Sequence, residues 1–143
     1  MLTLPQTAEY ALRAVYYIAE SPGGEPVRVV DIAQALGVPR NYLSKTLHQL
    51  ARAGVLRSTR GPLGGFQLVT RPEKLALDTI VRPFLPAEGR SCVLGRPRCS
   101  DLSPCAAHFR WKEASERMRT FFDQTTVADL ITAGKTGPTA ARG

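Results

Sequence analysis

Residues Val30 to Val69 read VDIAQALGVPRNYLSKTLHQLARAGVLRSTRGPLGGFQLV, and this stretch decides the fold. Ile32, Ala33 and Leu36 share the inner side of a short helix from about Val30 to Leu36, which Gly37 breaks. Val38-Pro39 opens the next helix, where Pro is tolerated because its missing N–H had no partner in a first turn. From Arg40 to Ala53, Leu43, Leu47 and Leu50 fall in one narrow sector at helical spacing, while Asn41, Lys45, His48 and Arg52 point the other way. Beyond Gly54 the period becomes extended. Val55 to Arg60 reads as a strand, Gly61-Pro62-Leu63-Gly64-Gly65 as a turn, and Phe66 to Val69 as the returning strand. Helix, turn, helix and hairpin in succession make a winged helix-turn-helix layout.

Working outward, Tyr10, Ala14, Tyr17 and Ile18 give a first helix from Thr7, its expected N-cap, to Glu20, closed by Ser21-Pro22-Gly23-Gly24. Downstream, a short helix is expected from Pro72 or Leu75 to Phe84, followed by an aperiodic run from Pro86 to Pro104. An amphipathic helix then spans Ala106 to Gln124. Ala107, Trp111, Ala114, Met118, Phe121 and Phe122 lie on one face, and Lys112, Glu113, Glu116, Arg119 and Asp123 on the other. Thr126 to Asp129 reads as a capping box for a last helix to Ile131, and the tail from Gly134 to Gly143 is expected to fray. The expected class is mainly α with a small β-hairpin wing.

Charge is concentrated on the winged segment. The 143 residues carry a formal net charge of +7 and are 43% apolar, which suits a folded domain rather than a disordered chain. Between residues 28 and 71, Arg28, Arg40, Lys45, Arg52, Arg57, Arg60 and Arg71 face a single Asp31, a local net of +6. Arg40, Asn41, Ser44 and Lys45 near a helix start have the side chains that reach base edges from the major groove. His48 and Arg52 are better placed for phosphates, and Arg60 at the hairpin tip for a minor groove. Double-stranded DNA is the expected partner; the bland alternative is a solvated basic face. No apolar run approaches a membrane span, and Met1 to Gln6 lacks the regions of a secretory signal, so a reducing cytoplasm is expected.

The aperiodic run holds the three cysteines, Cys92, Cys99 and Cys105, spaced C-x6-C-x5-C, with His108 two residues beyond the last. These gaps are wider than the tight C-x2-4-C knuckles usual for structural zinc. An irregular loop can spread thiolates around an iron–sulfur cluster. Spacing alone leaves cluster, zinc, and free or redox-active thiols open. A small electron carrier, and a thiol enzyme pairing Cys105 with His108, are readings from other classes.

Several stretches resemble the Rrf-type family of bacterial regulators, which includes IscR-, NsrR- and RirA-like members. They are Tyr10-Ala11-Leu12-Arg13-Ala14, Ile32-Ala33, Tyr42-Leu43, Gly54-Val55-Leu56 and, most specific, Arg60-Gly61-Pro62-Leu63-Gly64-Gly65-Phe66 in the wing. Cys105-Ala106-Ala107-His108-Phe109-Arg110-Trp111 is similar to the family's C-x2-H-x2-W segment, and Thr126-Val127-Ala128-Asp129-Leu130 to its ending. The resemblance implies a DNA-binding homodimer reading two operator half-sites, a repressor whose affinity follows an iron–sulfur cluster sensing iron, redox or nitric oxide status. It implies that residues 1–84 bind DNA, 85–105 form the cluster loop, 106–133 form the dimerisation helix and its short successor, and 134–143 are a tail. Trp111, Ala114, Met118, Phe121 and Phe122 become seam residues, and Cys92, Cys99 and Cys105 cluster ligands. His108 as fourth ligand implies a two-iron cluster; an acidic residue from the partner subunit, at the position of Glu9, implies a four-iron one. The chain carries both. Ser44 stands where IscR-like members have a promoter-discriminating Glu, so the target sequence does not transfer, whereas Arg60 matches the wing Arg.

Overall fold

The computed structural model describes residues 4–87 and 90–136. Its first helix, α1 (Gln6–Glu20), is built around small residues: Ala8, Ala11 and Ala14 are fully buried together with Val15, and Ile18 nearly so. Short side chains let α2 (Val29–Leu36), α3 (Arg40–Arg52) and α4 (Leu77–Val81) approach the α1 backbone from several sides. Tyr10 and Tyr17, expected inside, form only the partly buried edges of this stripe. Nor does Thr7 cap the helix. Pro5 occupies the N-cap position without a side-chain bond, and the Glu9 N–H is taken up by the Pro5 carbonyl at 3.0 Å.

The leucine seam of α3 is buried as the periodicity requires, with Leu43, Leu47 and Leu50 at zero exposure against Ile32, Val55, Leu56 and Phe66 in one core. Burying each such side chain is worth roughly 1.5–3 kcal/mol, so the seam fixes the angle of the outer face. Strands β1 (Leu56–Thr59) and β2 (Gly65–Leu68) pair antiparallel, Leu56 opposite Leu68 and Thr59 opposite Gly65. Val27 exchanges two 2.8 Å backbone hydrogen bonds with Phe66, pinning the hairpin to the chain before α2. Two glycines are obligatory there. A Cβ on Gly64 would fall 2.1 Å from the Thr59 carbonyl oxygen, and one on Gly65 2.4 Å from that of Val27.

The helix expected up to Phe84 is broken into three pieces: a 3-10 turn at Pro72–Lys74, five-residue α4, and a second turn at Arg82–Phe84. Tertiary pairing wins over propensity here, because Ala76 is held extended by a bridge to Thr126. Leu77 N–H donates to the Thr125 carbonyl, and Val127 N–H to that of Leu75, both at 2.9 Å. That bridge ties the corner between α5 (His108–Gln124) and α6 (Val127–Thr136) to the winged part.

The capping box forms: Asp129 Oδ2 accepts from Thr126 N–H at 2.8 Å, and Thr126 Oγ1 from Asp129 N–H at 3.2 Å. α6 then runs to Thr136, past the expected stop at Ile131, along α1. Gly134, read as tail, belongs to it, and a Cβ there would sit 2.7 Å from Tyr16 Oη. Lys135 and Thr136 belong to α6 as well, and residues 137–143 lie outside the described residues. Among the described residues, no helix is long and apolar enough to cross a membrane.

Candidate nucleic-acid interface and metal centre

With the seam of α3 turned inward, Arg40, Asn41, Lys45, His48 and Arg52 are exposed, while Ser44 is half-buried. His48 also stacks edge-on against Phe66 of β2, ring centres 5.3 Å apart, so it ties α3 to the wing. Gln49 ties α3 to the turn after α4, donating from Nε2 to the Pro83 carbonyl at 3.0 Å. Arg60 stands exposed at the start of the wing turn, with Leu63, 91% exposed, on the same turn.

The net +6 is not uniformly available. Arg28 pairs with Asp31 at 3.2 Å and Arg71 with Glu73 at 3.6 Å. Among the described residues, no carboxylate pairs with Arg40, Lys45, Arg52, Arg57 or Arg60. The uncompensated charge thus narrows to α3 and the wing, the arrangement that suits a polyanion. Leu63 carries no role in the sequence reading and Arg57 only a share of the net charge; exposure brings Leu63 forward, and exposure without a paired carboxylate brings Arg57 forward.

The second site lies where the cysteine run meets α5. Two donor pairs form. Cys92 Sγ is 3.8 Å from Cys105 Sγ, and Cys99 Sγ is 3.4 Å from His108 Nδ1. His108 is only 1% exposed, although it opens a helix. Its ring faces Cys99, so the Cys105–His108 pair of the thiol-enzyme reading is not the pair observed. Its Nε2 lies 2.6 Å from Asp101 Oδ1, and Lys112, one turn along α5, donates to both oxygens of Asp101 at 3.2 and 3.0 Å. The hydrogen bond from His108, then that from Lys112, holds the Asp101 carboxyl below its usual range. Arg90 Nε–H donates to Cys99 Sγ at 3.0 Å, which raises the Arg90 pKa further above an already high value. The backbone N–H of Arg96, and then that of Leu94, draw the Cys92 thiol below its ordinary pKa. Trp111 Nε1–H donates to the Ser91 carbonyl at 2.6 Å and so straps the run to α5.

The expected seam residues of α5 divide. Trp111 is half-buried, and Phe122 packs on the subunit's own core. Ala114 is exposed, Met118 is 42% exposed and Phe121 51%. Glu9, the other candidate ligand, is exposed on α1 and lies 3.9 Å from Arg13 of its own helix.

Residues 4–133 match the Rrf2 family, described as iron-dependent transcriptional regulator. This chain belongs to the Rrf2 family. Among curated relatives, a chain from Aquifex aeolicus assigned as an HTH-type transcriptional regulator is 37% identical, covering 87% of this chain and 88% of its own. The IscR regulator of Aliivibrio salmonicida is 26% identical over 91% of this chain and 77% of its own. Of solved structures, CymR, the global cysteine regulator of B. subtilis, superimposes with a TM-score of 0.77 at 25% identity, over 92% of this chain and 98% of CymR. T. potens IscR gives 0.76 at 22% identity, over 99% and 94%, a likeness of fold. The Rrf2 chain is therefore a transcriptional regulator and not an enzyme, with the winged-helix fold that its sequence led one to expect.

Do its cysteines suit an iron centre? A single ion wants at least three donors around one point, and no such group exists among the described residues. Two donor pairs are a different arrangement. Two thiolates each about 2.3 Å from a tetrahedral metal lie about 3.8 Å apart, and a thiolate with an imidazole about 3.6 Å apart. The separations of 3.8 and 3.4 Å are each close to what two ligands of one tetrahedral iron would show, so these residues could serve as paired iron ligands.

Proposed function

We propose that this Rrf2 regulator is a homodimeric repressor whose grip on its operator is set by a two-iron, two-sulfide cluster held by Cys92, Cys99, Cys105 and His108. The observation that carries the reading is the division of these residues into two pairs of tetrahedral-ligand spacing beside the first turn of α5. When bound, such a cluster supplies a redox-, iron- and nitric-oxide-sensitive tether among its ligands. The four-iron alternative, with Glu9 supplied by the partner subunit, leaves the buried His108 without its ligand role.

The protein's own residues supply the coupling. Cys105 accepts the His108 backbone N–H at 3.0 Å, and Trp111 grips Ser91 beside Cys92, so the run and the start of α5 move as one body. α5 packs on α4 and α4 on α1, which meets α3. The exposed Ala114, Met118 and Phe121 form the dimer seam, so a shift in α5 changes the spacing of two recognition helices. Half-sites one helical turn apart, about 34 Å, make binding sensitive to that spacing. Arg40, Asn41, Ser44 and Lys45 read bases, Arg52 and Arg57 hold phosphates with His48 beside them, and Arg60 enters the minor groove. A coupling of roughly 1–3 kcal/mol, about 5- to 150-fold in affinity, suffices for regulation.

Anaerobic purification tests the cluster directly. Visible absorbance with iron and sulfide each near about two per chain is expected, and colourless, iron-free protein contradicts the reading. The thiol switch remains the second reading, because Cys92 and Cys105 need only close from 3.8 Å to disulfide distance. Iron analysis together with non-reducing gels of the protein as isolated separates the two.

A further inference from the structure

Two charged side chains of the cysteine run contact a candidate ligand without being one, Arg90 at Cys99 and Asp101 at His108. Asp101 sits between Cys99 and Cys105 in sequence, and its Oδ1 lies 2.6 Å from Nε2 of the buried His108. On the far side of the same ring, Nδ1 faces Cys99 Sγ at 3.4 Å. We propose that Asp101 is a positioning residue that keeps the proton of His108 on Nε2, so that Nδ1 is the nitrogen offered to iron. This inference rests on the cluster assignment above for its consequence, but not for its geometry.

The direction of each hydrogen bond follows from what the groups can do. An ionised carboxylate only accepts, and an ammonium or guanidinium only donates. Lys112 donates twice to Asp101, at 3.2 and 3.0 Å, which keeps Asp101 ionised and fixes where its oxygens stand. Asp101 can therefore only accept a hydrogen bond from His108, and the donated hydrogen must be on Nε2. Arg90 Nε–H donates to Cys99 Sγ at 3.0 Å. Cys99 and His108 are thus bracketed by a cation behind the sulfur and an anion behind the ring. A carboxylate behind a ligating imidazole fixes its tautomer and raises its basicity, and loss of such a partner costs about 10- to 100-fold in metal affinity. Lys112 and His108 lie one turn apart on α5, so the helix itself holds both ends of the device. Asp101 is exposed at 60% of its side chain, and both of its side-chain partners, His108 and Lys112, lie on α5.

Two measurements on the 143-residue chain test this. Nitrogen–proton correlation spectra of the His108 ring, recorded on iron-free protein at mildly alkaline pH, should show the proton on Nε2. In Asp101→Ala the ring should distribute its proton over both nitrogens, and Asp101→Asn, which keeps an accepting oxygen, should restore much of the Nε2 form. In anaerobic preparations Asp101→Ala should surrender its cluster to a chelator about tenfold faster or more than wild type, with Asp101→Asn between them. A wild-type ring protonated on Nδ1, or an Asp101→Ala ring unchanged from wild type, overturns the inference. So does equal cluster retention in wild type and Asp101→Ala. If wild type takes up no cluster at all, the assignment above fails, while the ring spectra still decide the role of Asp101.

Discussion

The wing and the cysteine run are both non-helical stretches tethered to a helix, yet they are built by different means. In the wing each notable residue answers a backbone demand within reach: Gly64 clears the Thr59 carbonyl, Gly65 clears that of Val27, and Phe66 pairs with Val27 by two hydrogen bonds. In the cysteine run few backbone bonds recur, and order comes from side chains meeting across gaps of 9 to 20 residues, as in Arg90 with Cys99, Cys99 with His108, and Trp111 with Ser91. A backbone-built element is rigid with or without a ligand. One built from sulfur, imidazole and carboxylate contacts responds when those atoms are oxidised or take up a metal. That contrast supports the proposed division into a part that reads and a part that senses.

Four sets of variants would break or sharpen the contrast. Cys105→Ala should abolish cluster absorbance outright while changing the melting temperature of iron-free protein by less than about 3 °C, since no backbone bond depends on the thiol. A large loss of stability would show the run to be structural. Gly64→Ala should do the reverse, costing about 3 kcal/mol, or roughly 10 °C, because backbone must move to admit the Cβ. Thermal denaturation reads both. Phe121→Glu should weaken subunit association about a hundredfold, measured by sedimentation, because a charge would be buried in an apolar seam. Unchanged association would place the seam elsewhere. Arg60→Ala should weaken operator binding about tenfold and lower the salt slope by about one counterion. Arg28→Ala, whose charge is already countered by Asp31, should change it less than about twofold. Equal effects would dissolve the distinction between free and paired cations.

The same contrast explains what the sequence made legible. The leucine triplet of α3 and the Gly-Pro-x-Gly-Gly turn carry local signals, so recognition helix and wing are readable from residue spacing. The helix expected to Phe84 forms only as α4 between two turns, because a long-range bridge, Ala76 to Thr126, overrides the local pattern. The candidate ligands could be named from chemistry and resemblance, but not paired. C-x6-C-x5-C gives no hint that Cys92 meets Cys105 while Cys99 meets His108. Asp101, Lys112 and Arg90 had no signal beyond falling near the cysteines. Phe121 and Phe122, adjacent on one helix, were read as one face, yet Phe122 turns to its own core and Phe121 stays exposed.

The most direct test measures operator affinity on one anaerobic preparation in three states: as isolated, after removal of iron by chelation, and after reconstitution with iron and sulfide. Affinity should change roughly 5- to 150-fold on removal and return on reconstitution, in proportion to cluster content. Identical affinity in all three states, with the cluster demonstrably present and then absent, would contradict the coupling of the cysteine run to the reading head.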